Sequence, residues 1–220
     1  MTAQRRSARQ VALFVEGETE RGSARHKTLA DFFHRWLDPR LPPRSKVGIL
    51  PVNFRGVTNY LNDYVESAGR YLDDGKANFV VGLIDLYGIP SSFIDLSKYP
   101  TVEEKVTAAR RRMRRLVPQR HRDRFHQHFA VHEVEAWLLA YPEKWPADVR
   151  NQITRRPPEQ VNFDEPPAKF LKRILRRRGY KKTVAARNIF PTVDPQIAIE
   201  KCPYLRALAH DLLEIARRLL

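Results

Sequence analysis

Val11-Ala12-Leu13-Phe14-Val15-Glu16-Gly17-Glu18-Thr19-Glu20 is a run of five apolar residues that stops on a glutamate. Such a run, with no polar alternation, reads as a strand buried on both faces of a parallel sheet. A carboxylate directly after it stands at the sheet's C-terminal edge, where open α/β sheets bind their ligands. Gly17 permits a tight turn, and Glu20 lies on the first turn of the next helix, able to face the same point. The helix dipole accounts for Glu18, but not for Glu16 on a strand end.

The arrangement recurs twice. Asp85-Leu86-Tyr87-Gly88 follows the apolar run 79–84, and His132-Glu133-Val134-Glu135-Ala136-Trp137 follows residues 129–131. Carboxylates converging on one edge repel each other unless a cation lies between them, and oxygen ligands select a hard divalent ion. The expected cofactor is therefore Mg²⁺ or Mn²⁺. Glu133 and Glu135 sit two apart at a strand-to-helix junction, so one of the two turns toward the edge.

Between these motifs the chain alternates strand-like and helix-like segments, the pattern of βαβ units. Residues 47–54 and 125–131 read as further strands beside 11–15 and 79–84. Helical periodicity runs over 22–37, 57–72 and 101–117, the last opened by Thr101-Val102-Glu103-Glu104 and stopped by Pro118. A short helix is expected over 133–140. Prolines at 142, 146, 157, 158, 166 and 167 then mark an irregular connector. Helices are expected over 168–178, 183–189 and 204–219. The expected fold is α/β and Rossmann-like: a mostly parallel central sheet of about four strands, flanked by helices, with a helical C-terminal part. Residues 10–140 form the α/β domain, and 141–220 a proline-rich connector and helical extension packed on the same core.

With 220 residues, 42% of them hydrophobic, the chain is long enough for one full core. A single cysteine, Cys202, excludes an internal disulfide and any zinc ribbon. No HExxH accompanies His132, and His121, His126 and His128 are scattered among arginines, so a zinc site is not expected. The start of the chain is too poor in apolar residues for a signal peptide, and no stretch approaches the ~20 apolar residues of a membrane span. The expectation is a cytoplasmic protein with no membrane partner.

Net charge is +15, and residues 101–187 carry 22 Lys and Arg against 10 Asp and Glu. Most of the excess therefore lies in one section, which favours a polyanionic partner. Two helical clusters, Arg110, Arg111, Arg114 and Arg115, then Lys172, Arg173, Arg176 and Arg177, are the expected contacts to a nucleic-acid backbone. Gly179-Tyr180-Lys181-Lys182-Thr183 mimics the tail of a phosphate-binding loop. It lacks the leading glycine and follows a helix, so it is no Walker motif. A lysine there can still neutralise a phosphate.

Together these residues resemble a known group. A glutamate after the first strand in Val-Glu-Gly, and an aspartate after a later one, resemble the Toprim domain of topoisomerases, primases and overcoming-lysogenization-defect (OLD) nucleases. Val15–Glu20, Leu83–Pro90, His132–Ala140, Gly179–Thr183 and Lys201–Tyr204 together look like the domain-of-unknown-function family 4276, a Toprim-like family. The resemblance covers essentially the whole chain after Gln10. It implies that Glu16 and Glu20 form the first metal-binding pair and Asp85 the leading aspartate. Glu133 or Glu135 is then the later acid, and Lys181 or Lys182 the catalytic lysine. It further implies a metal-dependent nuclease acting on DNA ahead of RNA, in bacterial phage defence and beside an ATPase partner protein. One departure stands out: where Toprim domains have Asp-x-Asp, this chain has Asp85-Leu86-Tyr87. The alternative is a Toprim-like subunit that binds nucleic acid or regulates an ATPase without cutting.

Overall fold

The structure is a computed structural model describing residues 9–17, 28–132, 134–153, 158–160, 167–175 and 190–220. Strands β1 (Gln10–Val15), β2 (Gly48–Asn53), β3 (Phe79–Asp85) and β4 (Phe125–Ala130) form one sheet in the order β2-β1-β3-β4. Every pairing is parallel. The chain is thus an α/β protein of the Rossmann-like class.

Burial on both faces explains why the strand sequences lack alternation. Val11, Leu13, Val15, Val81 and Leu83 join one core, while Ala12, Phe14, Val80 and Ile84 join the other. The first core takes helices α1 (Thr28–Leu37) and, from the C-terminal part, α4 (Glu135–Leu139) and α8 (Pro203–Arg218). The second takes α2 (Val57–Asp73) and α3 (Val102–Leu116). Helix α3 begins at a capping box: the Thr101 hydroxyl accepts the Glu104 N–H, and the Glu104 carboxylate accepts the Thr101 N–H. That reciprocal pair satisfies two donors a helix start otherwise leaves open.

Gly82 allows the second core to close. A Cβ there would lie 2.0 Å from the Tyr60 hydroxyl and 2.4 Å from Gln127 Oε1. Those two groups hydrogen-bond each other across the glycine at 2.7 Å.

The proline-rich connector is more structured than composition implies. It holds the short helix α5 (Ala147–Arg150), whose Val149 is buried. Helix α6 (Pro167–Ile174) falls within the expected segment 168–178 apart from its first residue. Helix α7 (Pro195–Lys201) was not legible in the sequence, being seven residues capped by Asp194. The segments expected as helix over 22–27 and 183–189 lie outside the described residues. Among the described residues no helix is long and apolar enough to cross a membrane.

Candidate active site at the C-terminal edge of the sheet

Strand order decides where a ligand can enter. From β1 the chain crosses to β2 on one side, while from β3 it continues to β4 on the other. The helices that follow, α1 and α3, lie on opposite faces. A crevice therefore opens between the C-terminal ends of β1 and β3, the topological switch point of an open sheet. Glu16 and Asp85 flank it.

The two residues are joined directly. The Asp85 N–H donates to Glu16 Oε2 at 3.3 Å, so the glutamate bends across the crevice onto β3. The Glu16 carbonyl accepts the Gly56 N–H, and the Val15 carbonyl accepts the Phe54 N–H at 3.0 Å. These bonds tie the loop after β2 to the end of β1. Both acidic side chains are half-buried, open on one side to solvent.

Two of the three described non-glycine residues with positive φ lie at this edge, while the third, Arg44, precedes β2 at the opposite end. Arg55 has φ 59° and His132 φ 63°, left-handed values that side chains other than glycine rarely adopt. Strained non-glycine residues tend to mark functional sites, where surrounding structure holds them in place. The His132 ring stacks on Tyr87, with centroids 5.4 Å apart and planes inclined by 26°. Lys105 Nζ lies 5.6 Å from the Tyr87 ring centre. Tyr87 is 51% exposed although burial pushes its hydroxyl pKa upward. The position where a second aspartate was expected thus holds an aromatic ring in a stack.

Glu135 opens α4 and is 0% exposed, a carboxylate wholly inside the protein. Glu20, Glu133, Lys181 and Lys182 lie outside the described residues. Among the described residues, no three His, Cys, Asp or Glu side chains converge as a ready metal cage.

The basic residues divide. Arg110 and Arg114 line an open cavity beside β4, whereas Arg111 and Arg115 line a different one on the outer flank of α3. Lys172 and Arg173 are exposed on α6, Arg173 lying 5.1 Å from the Phe170 ring centre. Arg176 and Arg177 lie outside the described residues.

Glu159, in the connector, is a residue that sequence reasoning missed. Its carboxylate accepts the Trp137 indole N–H at 2.9 Å and the Tyr204 and Leu205 backbone N–H groups at the start of α8. It thereby caps a helix from a distant segment. Burial outweighs these bonds and pushes the carboxyl up to about 7. Only its setting among prolines marked it, and that gave no hint of its partners.

The sequence profile of a family described as "Domain of unknown function (DUF4276)" matches residues 15–213. No curated protein and no solved structure matches the chain.

Proposed function

The chain belongs to the DUF4276 family, and from its sheet edge we propose that it is a metal-dependent nuclease. The observation that carries this reading is the meeting of Glu16 and Asp85 across the β1–β3 crevice, joined by the Asp85 N–H.

Two hard carboxylates suit Mg²⁺ or Mn²⁺, since Mg²⁺ is commonly held by one or two carboxylates, with waters and substrate phosphates completing its shell. Glu16 and Asp85 would hold the ion, with Glu20 and either Glu133 or Glu135 as the additional acids implied by the Toprim resemblance. Such an ion, when bound, polarises a phosphodiester and lowers the pKa of a bound water. The protein's own part is positional. The Asp85 N–H fixes the Glu16 carboxylate, and the bond from Gly56 to the Glu16 carbonyl fixes the backbone beneath it. Lys181 or Lys182 would balance charge developing on the phosphoryl oxygens. The net charge of +15 suits a polynucleotide substrate, DNA ahead of RNA. On the same resemblance, the wider role would be an effector of phage defence working with an ATPase.

A second reading rests on Tyr87. Its ring, stacked on His132, stands where another metal-binding carboxylate was expected, which favours a subunit that binds nucleic acid without cutting it. Nicking of supercoiled plasmid with Mn²⁺ decides between the two. The nuclease reading requires activity that disappears in Glu16→Gln and Asp85→Asn. Equal trace nicking by wild type and both variants would be contamination and would leave the binding subunit.

A further inference from the structure

A second region of charge lies away from the carboxylate edge. Strand β4 is an edge strand, with α3 on one face and α8 on the other, and an open cavity of about 630 Å³ runs beside it. Arg110 and Arg114 come from α3, Arg122 from the loop before β4, and Arg218 from the end of α8. Against these four guanidinium groups the cavity holds two carboxylates, Asp123 and Asp211.

The two carboxylates offset part of this charge and leave a formal excess of two positive charges. Asp211 is engaged by imidazoles: His126 Nδ1 lies 2.9 Å and His128 Nε2 2.7 Å from it. Burial pushes its carboxyl up, but those bonds outweigh burial and hold it well below the usual carboxylate range. Asp123 pairs with Arg114 at 3.2 Å, an exposed bridge of little strength. Arg110 donates to the Gln127 carbonyl, and Arg122 to the Val117 and Arg115 carbonyls. Arg218 lies over the Phe79 ring. Among the described residues none of these three has a carboxylate partner.

The bonds to Arg110 and Arg122 also orient them, because each guanidinium is held through a backbone carbonyl with further N–H groups left over. Arg110 caps a carbonyl on the open edge of β4, which discourages pairing by another strand. A larger cavity of about 900 Å³ on the outer flank of α3 is different. There Asp95, Glu103 and Glu104 nearly balance Lys98, Arg111, Arg112 and Arg115.

We propose that the trough beside β4 binds the phosphodiester backbone of a nucleic-acid strand, through Arg110, Arg114, Arg122 and Arg218. Arginine forks match phosphate oxygens, and a polyanion gains affinity by releasing its counterions. The trough is open along the strand edge, which suits a chain of phosphates better than one enclosed anion. With its Nδ1 directed at Asp211, His126 adds a polar ring to the floor. This rests on the nuclease reading only for the identity of the polyanion.

The test is fluorescence anisotropy of labelled single- and double-stranded 20-mers of DNA and RNA, with EDTA, across a salt series. Arg114→Gln/Arg218→Gln is compared with Arg111→Gln/Arg115→Gln. Support is an affinity loss of about a hundredfold at 0.1 M salt and a salt slope smaller by about 2 in the first pair, with little change in the second. The proposal is overturned by unchanged affinity in the first pair, by a larger loss in the second, or by no binding in wild type. Equal binding of polyglutamate, or competition by inorganic phosphate at matched phosphate concentration, would also overturn it. Glu16→Gln, measured alongside, keeps the two ideas apart. Lost cleavage with full affinity supports both. A wild type that never cuts, yet binds through the first pair, ends the nuclease reading and keeps the trough.

Discussion

The C-terminal edge of the sheet and the flank of β4 are chemically opposite. At the edge, the Asp85 N–H donates to the Glu16 carboxylate, and the two acids would suit a cation. Along the flank, Arg110, Arg122 and Arg218 have no carboxylate partner among the described residues and invite an anion. A metal-bound phosphodiester would satisfy both, since its charge answers the arginines and its bound ion answers the carboxylates. On the proposed function, two sites of opposite sign on one small sheet would divide the labour between chemistry and grip. Helix α8 borders the flank, with Glu159 capping its start and Asp211 anchoring its middle to β4.

The largest expected effect tests whether chemistry belongs to the edge alone. Asp85→Asn should lower Mn²⁺-dependent nicking about 10³-fold, roughly 4 kcal/mol of barrier, with oligonucleotide affinity unchanged. Plasmid nicking and anisotropy on one preparation check it, and a parallel fall in affinity would merge the two regions. Next is the link between them. Gly82→Ala drives a methyl group into the Tyr60–Gln127 hydrogen bond, whose glutamine backbone also receives Arg110. A loss of about 3 kcal/mol is expected in urea unfolding.

A pH effect of similar or smaller size belongs to the start of α8. The folded-state pKa of Glu159 is raised from 4.5 to about 7 by burial. Its contribution to stability is therefore fully present below pH 4.5 and is lost as pH rises through 7. The melting temperature should decline across that window in wild type, and Glu159→Gln should flatten the decline. The smallest effect is at Arg55, whose φ of 59° suits glycine. Arg55→Gly should raise stability by about 1 kcal/mol or less in urea unfolding. If this arginine also contacts phosphate at the edge, oligonucleotide affinity falls in the same variant, and the edge then shares in the grip.

The edge was readable in the sequence because its parts are local. Each carboxylate directly follows its own apolar run, and a strand buried on both faces leaves that run unbroken. The capping box at Thr101 was readable for the same reason. The trough was not, because its parts meet only through folding: Asp211 lies 83 residues from His128 and 85 from His126. The arginine run on α3 was legible as charge, but only packing divides Arg110 and Arg114 from Arg111 and Arg115. Glu159 was hidden because a carboxylate in a proline-rich stretch carries no mark of the helix it caps. The choice between Glu133 and Glu135 stayed open for a related reason, since a strand-to-helix junction sets side-chain direction only once the helix has docked.

Cys202, the chain's sole thiol, stands at the N-cap of α8, beside the two N–H groups that Glu159 holds, and is 0% exposed. Burial, then the nearby Glu159 charge, pushes its pKa well up, so the folded protein offers almost no thiolate to an alkylating reagent. The chain therefore carries a built-in clock. Its labelling rate times how often the start of α8 opens to solvent, and so how often the Glu159 cap lets go of the helix.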